Sequence, residues 1–297
     1  MLRRLREILA LPSTAARWWR RTTTAPAAEQ WLLLVGLPLL LVATWLAGLE
    51  TRFAFRLNAE WVWDSSRTLL TAFTANYVHF GGRHLFDNLL NYWVTLFAIY
   101  PLVAIAGWSR QFRLSVVTYL LAAPFGIAVV TLAVLNPSTE QFVVGFSGIV
   151  AALLGFLPVV LAAAASEQTD GAIAPSWAVV PVLFSVALVF AVPSVSYVQP
   201  QSTLAVGVGV TGVAVAGVLW SGTPTRQLRT YGRQLSPDVR LAFLIGSTVF
   251  VFGVAGALVF VHSGTNVWGH LSGYLIGFTI PYLAFVIRPL FIRSVPK

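Results

Sequence analysis

The feature that most constrains this chain is a succession of long apolar runs separated by short polar segments. Eight runs, each close to the roughly 17–25 residues that fill a bilayer's hydrocarbon layer as a helix, lie at 31–49, 84–107, 113–135, 145–165, 176–193, 203–221, 241–261 and 268–288. In lipid only helices and closed barrels satisfy their own backbone polar groups. Runs this long, without strict alternation of apolar and polar residues, select helices. Composition agrees: 57% of residues are hydrophobic, 10% are charged, and the mean hydropathy is +0.79, which no soluble domain of this size would carry. The expected architecture is an all-α polytopic membrane protein, with a basic cytoplasmic segment over 1–30, a transmembrane domain over 31–288 and a short cytoplasmic tail over 289–297.

A formal net charge of +9 raises nucleic acid as a partner, but the basic residues sit between the apolar runs rather than on a soluble face. The positive-inside rule accounts for them instead. Six arginines precede the first run, too far from it for a cleaved signal peptide, so that run reads as an uncleaved anchor. With this start inside, Arg110 and Arg113, then Arg226, Arg229, Arg233 and Arg240, then Arg288, Arg293 and Lys297 also fall inside, fifteen of the nineteen positive charges. The bilayer is the expected partner, nucleic acid is not, and both termini are expected in the cytoplasm. Eighteen of the nineteen basic residues are Arg, which suggests a GC-rich prokaryotic genome and a prokaryotic plasma membrane. The chain has no cysteine, which removes disulfides, thiolate metal sites and a thiol nucleophile. Its four histidines lack metal-ligand spacing with carboxylates, so neither metal nor cofactor is expected.

With eight spans, the even-numbered ones begin at the outer face, and three of those beginnings carry polar residues that stand out. His84 and Asn88 open the second span, Ser147 the fourth and His270 the eighth. Polar and ionisable groups at that depth usually line a bundle interior or a water-filled cavity. Ser147 stands in Gly145-Phe146-Ser147-Gly148, where small neighbours let a substrate backbone approach a hydroxyl closely. The first N–H groups of the helix it opens are free to receive an oxyanion. His270 is followed by Gly273 and Gly277, a GxxxG face that admits a close helix partner. Gly148, Ala152 and Gly155 give the fourth span a matching small-residue stripe. If the two stripes meet, Ser147 and His270 come together. His84 and Asn88 lie at i and i+4 on one helix face, positioned to donate to a tetrahedral oxyanion or else to form an interhelical hydrogen-bond seam.

In this order the motifs, His79-x4-His84-x3-Asn88, then Gly145-x-Ser147-Gly148, then His270-x2-Gly273-x3-Gly277, resemble those of the rhomboid family of intramembrane serine proteases. The resemblance implies a rhomboid-like helical bundle with Ser147 as nucleophile and His270 as general base and then acid. It also implies an oxyanion hole from His84, Asn88 and the Ser147 N–H, with His79 and the glycines Gly145 and Gly148 adjacent. Substrates would be single-span membrane proteins, cut near the outer face where a helix is weak. A catalytically inactive relative that binds membrane helices is the alternative. The chain departs from the family pattern at Ala151, where an aromatic commonly supports the histidine. It departs again at Trp63 and Arg67, too far apart for the usual Trp-Arg pair, and at Tyr100, where a glutamate motif is usual. Between the serine and histidine helices it carries three spans, two more than the basic six-helix form.

Overall fold

Glycine and proline set where the helices of this chain end and bend. The computed structural model describes residues 16, 18–59, 61–135, 142–192, 201–224, 231–232, 234–262 and 264–289. Most of the basic amino-terminal segment, the tail beyond 289 and the cluster Arg226, Arg229 and Arg233 therefore lie outside the described residues. Six helices are long and apolar enough to cross a membrane: α1 (Ala27–Leu46), α3 (Gly82–Ala106), α6 (Ser147–Gln168), α8 (Ser202–Ser221), α9 (Pro237–Val259) and α10 (Val267–Ile287). A short amphipathic helix, α2 (Ser66–Thr74), precedes α3, capped by Ser65, whose side chain accepts from the Thr68 N–H. The remainder of the helical structure includes α4 (Ser109–Leu121), α5 (Ala123–Val134) and α7 (Pro175–Ala191). A two-residue ladder pairs β1 (Phe55–Arg56) with β2 (Phe142–Val143) in antiparallel register. The chain is thus an all-α polytopic membrane protein by the length and composition of its helices.

Two expected spans differ from the sequence reading. The run 113–135 is not one rod but the pair α4 and α5, bent by 48°. Pro124 near the start of α5 removes an N–H and crowds the carbonyl one turn back, which breaks the helix at Ala122. The run 176–193 forms a helix over Pro175–Ala191, which opens with a 3₁₀ turn and is shorter than the six full-length helices. By length and composition six helices can each cross a membrane alone, or seven counting the bent pair as one span, and α7 is a shorter apolar helix beside them.

Contacts nonetheless trace a regular alternation between the Ser147 end of the bundle and the opposite end. The bent pair starts where Trp108 meets Phe285, with ring centroids 6.0 Å apart, and finishes where Thr131 receives a hydrogen bond from Asn266. Helix α7 starts near Tyr282, whose hydroxyl donates to the Ser176 carbonyl, and ends with Phe190 against Trp268. Helix α8 runs back along α7, with Gly212 against Leu183 and Trp220 against Trp177. Helix α9 returns, with Gly246 beside Leu102 and Leu161 and Gly253 beside Leu154. So α3, α6, α8 and α10 all begin at the Ser147 end.

Burial separates core from periphery. Of its apolar window, 83% is buried for α6 and 11% for α8. Helix α6 is the central element, packed on α3, α9 and α10, whereas α8 packs chiefly on α7. Of the three helices between Ser147 and His270, α9 is the one that joins α3 and α6 around the histidine, and α7 with α8 forms an outlying hairpin.

Prolines inside spans would leave carbonyls without donors, which is costly in lipid unless a neighbour supplies one. At three of them, Pro38, Pro124 and Pro281, an aromatic side chain from another segment is the donor. Pro38 frees the Leu34 carbonyl, which accepts from the Trp93 indole at 2.9 Å, and Tyr92 serves the Leu33 carbonyl beside it at 2.8 Å. Pro124 frees Leu120, whose carbonyl takes the Tyr77 hydroxyl. Pro281 frees Gly277, whose carbonyl takes the Tyr119 hydroxyl at 2.7 Å.

Candidate functional site

The approach to Ser147 is fixed before the helix begins. Gly145 has φ 121°, a conformation that side chains resist, and its N–H donates to the Ala75 carbonyl at 2.9 Å. Space forbids a side chain as well. A Cβ there would sit 2.6 Å from His84 Cε1, 2.9 Å from His84 Nε2 and 3.4 Å from Asn88 Nδ2. The first glycine of the GxSG motif is therefore where the backbone passes the two side chains at the top of α3. Phe146 is fully buried, its ring against Tyr77 and Tyr92, and this anchors the residue before Ser147.

His79 ties these pieces together. Its Nε2 accepts from the Phe146 N–H at 3.3 Å and lies 2.8 Å from Asn88 Nδ2. Because a backbone N–H can only donate, Nε2 is the unprotonated nitrogen and the Asn88 amide is the second donor. One hydrogen of that amide is thereby spent on His79, and the other remains for a ligand. Burial, with His84 nearby adding to it, lowers the His79 pKa to about 3, so the ring is neutral near pH 7. Among the described residues its Nδ1 has no partner.

The two small-residue stripes do meet. A Cβ on Gly273 would lie 2.1 Å from the Gly148 carbonyl oxygen, one on Gly277 1.9 Å from that of Ala152, and one on Gly155 2.0 Å from that of Tyr274. Helices α6 and α10 are thus in backbone contact, and Ser147 and His270 open them at the same end. Helix α10 is capped by Asn266, whose Oδ1 accepts from the Gly269 N–H at 2.9 Å while its Nδ2 donates to Thr131 Oγ1 at 2.9 Å.

His270 Nδ1 lies 2.8 Å from the Ala257 carbonyl oxygen. A carbonyl only accepts, so Nδ1 carries the proton and Nε2 keeps its lone pair, the tautomer a general base requires. Ala257 belongs to the π-helical end of α9, Ala255–Val259, where irregular winding leaves carbonyls for other donors. Ala151, four residues after Ser147, lines a cavity beside the site.

Two cavities share Ser147, His84 and His270. One, of about 240 Å³, lies under the β1–β2 segment and has Asn76, Thr131 and Asn266 in its wall. The other, of about 480 Å³, opens between α3, α6 and α9 past Asn88, Asn91, Gly253 and Gly256. Ser147 and His270 are half-buried and Asn88 is buried. No hydrogen bond joins Ser147 to His270 among the described residues. Such contacts are often long without a substrate and tighten when one binds. Trp63 is exposed and Arg67 donates to the Arg52 carbonyl, so the two do not act as a pair at this site. Among the described residues no group of three or more His, Asp or Glu is arranged to hold a metal ion.

The arrangement supplies a hydroxyl, a neutral imidazole and two side-chain donors around one opening, the parts needed for acyl transfer. Sequence reasoning missed the Ala257 carbonyl, since an acceptor on the main chain leaves no mark in residue type. It placed His79 only beside the site, whereas that ring bridges Asn88 to the Ser147 turn. Compared with protein-family models, with curated proteins and with solved structures, the chain matches none.

Proposed function

We propose that this chain is an intramembrane serine endopeptidase of the rhomboid type, cutting single-span membrane proteins near the outer face of a prokaryotic plasma membrane. The observation that carries the reading is the backbone contact of α6 and α10, which brings Ser147 and a histidine with a free Nε2 to one opening. In the proposed cycle Ser147 Oγ attacks a peptide carbonyl of the substrate and its proton passes to His270 Nε2. The oxyanion of the tetrahedral intermediate is met by His84, by the free Asn88 hydrogen and by the N–H at the start of α6. Donors of this kind are typically worth about 3–4 kcal/mol of barrier each. Collapse breaks the C–N bond, His270 protonates the departing amine, and water entering through the cavities beside Ser147 gives a proton to His270 and hydrolyses the acyl-enzyme. A stable helix shields its carbonyls, so substrates should carry Gly, Pro or similar residues near the cut. On this reading α9 takes the fifth position of the six-helix form and α7 with α8 is the added pair.

The test is the purified full chain in liposomes with a single-span reporter carrying such a segment. Cleavage by the wild type and none by Ser147→Ala or His270→Ala is expected; equal cleavage by the variants removes the protease reading. The lack of a Ser147–His270 hydrogen bond favours a second reading, an inactive relative that binds membrane helices. A covalent serine-directed probe separates the two, since only an active centre is labelled in the wild type and not in Ser147→Ala.

A further inference from the structure

Of the ten described basic residues six, Arg20, Arg21, Arg110, Arg113, Arg240 and Arg288, belong to segments at the end of the bundle opposite Ser147. Three of the other four gather in one hollow at the Ser147 end, beside the β1–β2 ladder. This cavity of about 340 Å³ is walled by Arg52, Arg56 and Arg67 together with Asn58, Ser65 and Thr68. Every one of these side chains can donate hydrogen bonds, and among the described residues no carboxylate lines the hollow, Glu50 and Asp64 lying outside its wall. The arginines are exposed yet held in place. Arg52 lies over the Phe53 ring at 5.6 Å, Arg56 over the Phe142 ring at 5.2 Å, and Arg67 Nη2 donates to the Arg52 carbonyl at 3.1 Å. Each guanidinium keeps most of its donors unspent, and three like charges around one hollow repel until an anion enters.

We propose that this hollow binds the phosphate of an anionic phospholipid headgroup, with phosphatidylglycerol as the model ligand. Guanidinium forks match phosphate oxygens, and three arginines in a wall with no carboxylate among its described residues favour a net-negative headgroup over a zwitterionic one. The surroundings point to a lipid rather than to a soluble phosphate. Trp61 and Trp63 are exposed next to the hollow, as are Leu69 and Leu70 on α2, the mixture of aromatic and apolar anchors that sits at a headgroup boundary. The site is separate from Ser147 and does not depend on what Ser147 does.

The experiment is native mass spectrometry of the purified full chain in detergent, titrated with phosphatidylglycerol and, separately, phosphatidylcholine. Tighter binding of phosphatidylglycerol is expected, reduced roughly fivefold by each of Arg52→Gln, Arg56→Gln and Arg67→Gln and brought to the phosphatidylcholine level by the triple variant. Arg110→Gln, exposed at the opposite end, should change nothing. Because the three side chains are exposed, the single variants give a reading even if the triple variant does not fold. Equal binding of both lipids by the wild type overturns the proposal, as does a phosphatidylglycerol preference that survives all three single substitutions. Arginine-dependent binding of inorganic phosphate, or of an acidic peptide, without any lipid preference also overturns it in favour of a soluble ligand.

Discussion

Gly273→Ala tests the contact on which the candidate site is built. The added Cβ would lie 2.1 Å from the Gly148 carbonyl oxygen and 3.0 Å from its carbon, while ordinary contact begins at 3.4 Å. The oxygen must therefore retreat by about 1.3 Å, the difference of those distances. It belongs to the main chain of the most buried helix, so it cannot rotate aside and α6 and α10 must part. Overpacking of this kind costs about 1–3 kcal/mol. At about 2–4 °C per kcal/mol for a chain of this size, the melting temperature should fall by roughly 5–10 °C. Since Gly273 lies one turn beyond His270, most of that parting reaches the Ser147–His270 pair, and a misplacement near 1 Å can cost ~10²-fold in rate. Gly217→Ala is the matched control, with nothing within 4 Å of its added Cβ; there alanine should be neutral or add up to about 1 kcal/mol through helix propensity. Thermostability in detergent and the labelling rate with a serine-directed probe measure both effects. If Gly273→Ala melts with the wild type and labels at its rate, the close packing of α6 and α10 is not what holds the pair.

Gly145→Ala combines an unfavourable φ with a Cβ 2.6 Å from His84; reporter cleavage should drop by ~10²–10³, the usual effect of losing an oxyanion donor, and wild-type turnover would exclude His84 from that role. Asn266→Ala removes the cap of α10 and its bond to Thr131, and a loss of about 1–2 kcal/mol is expected, visible as a lower melting temperature that Asn266→Asp restores only in part. His79 has a folded pKa of about 3 against an ordinary 6.5, so the native state requires it neutral. Its contribution is complete above 6.5 and is lost as pH falls from there towards 3. Between pH 7 and pH 4 the wild type should therefore lose more thermal stability than His79→Gln, and parallel pH profiles would count against this assignment.

What was legible in the sequence was what residue type alone controls. Apolar runs located the six long helices, and the small residues at 148, 152 and 155 and at 273 and 277 foretold which two helices touch backbone to backbone. The break at Ala122 was missed because Pro124 lies inside an apolar run that reads as continuous, and only the chain's need to turn there exposes it. The support of His270 was illegible for a different reason: its partner is the main chain of Ala257, made available by π winding that no side chain announces.

The aromatic donors on the proline carbonyls impose an order on assembly. The donor and acceptor in each pair are far apart in sequence, by 59 residues for Trp93 and Leu34, 43 for Tyr77 and Leu120 and 158 for Tyr119 and Gly277. For the second and third pairs the donor is synthesised before the carbonyl it serves, so those helices can close as they arrive. The first pair runs the other way. Helix α1 enters the membrane with carbonyls that nothing yet made can satisfy, and it is completed as a span only when α3 emerges and docks Tyr92 and Trp93 against it.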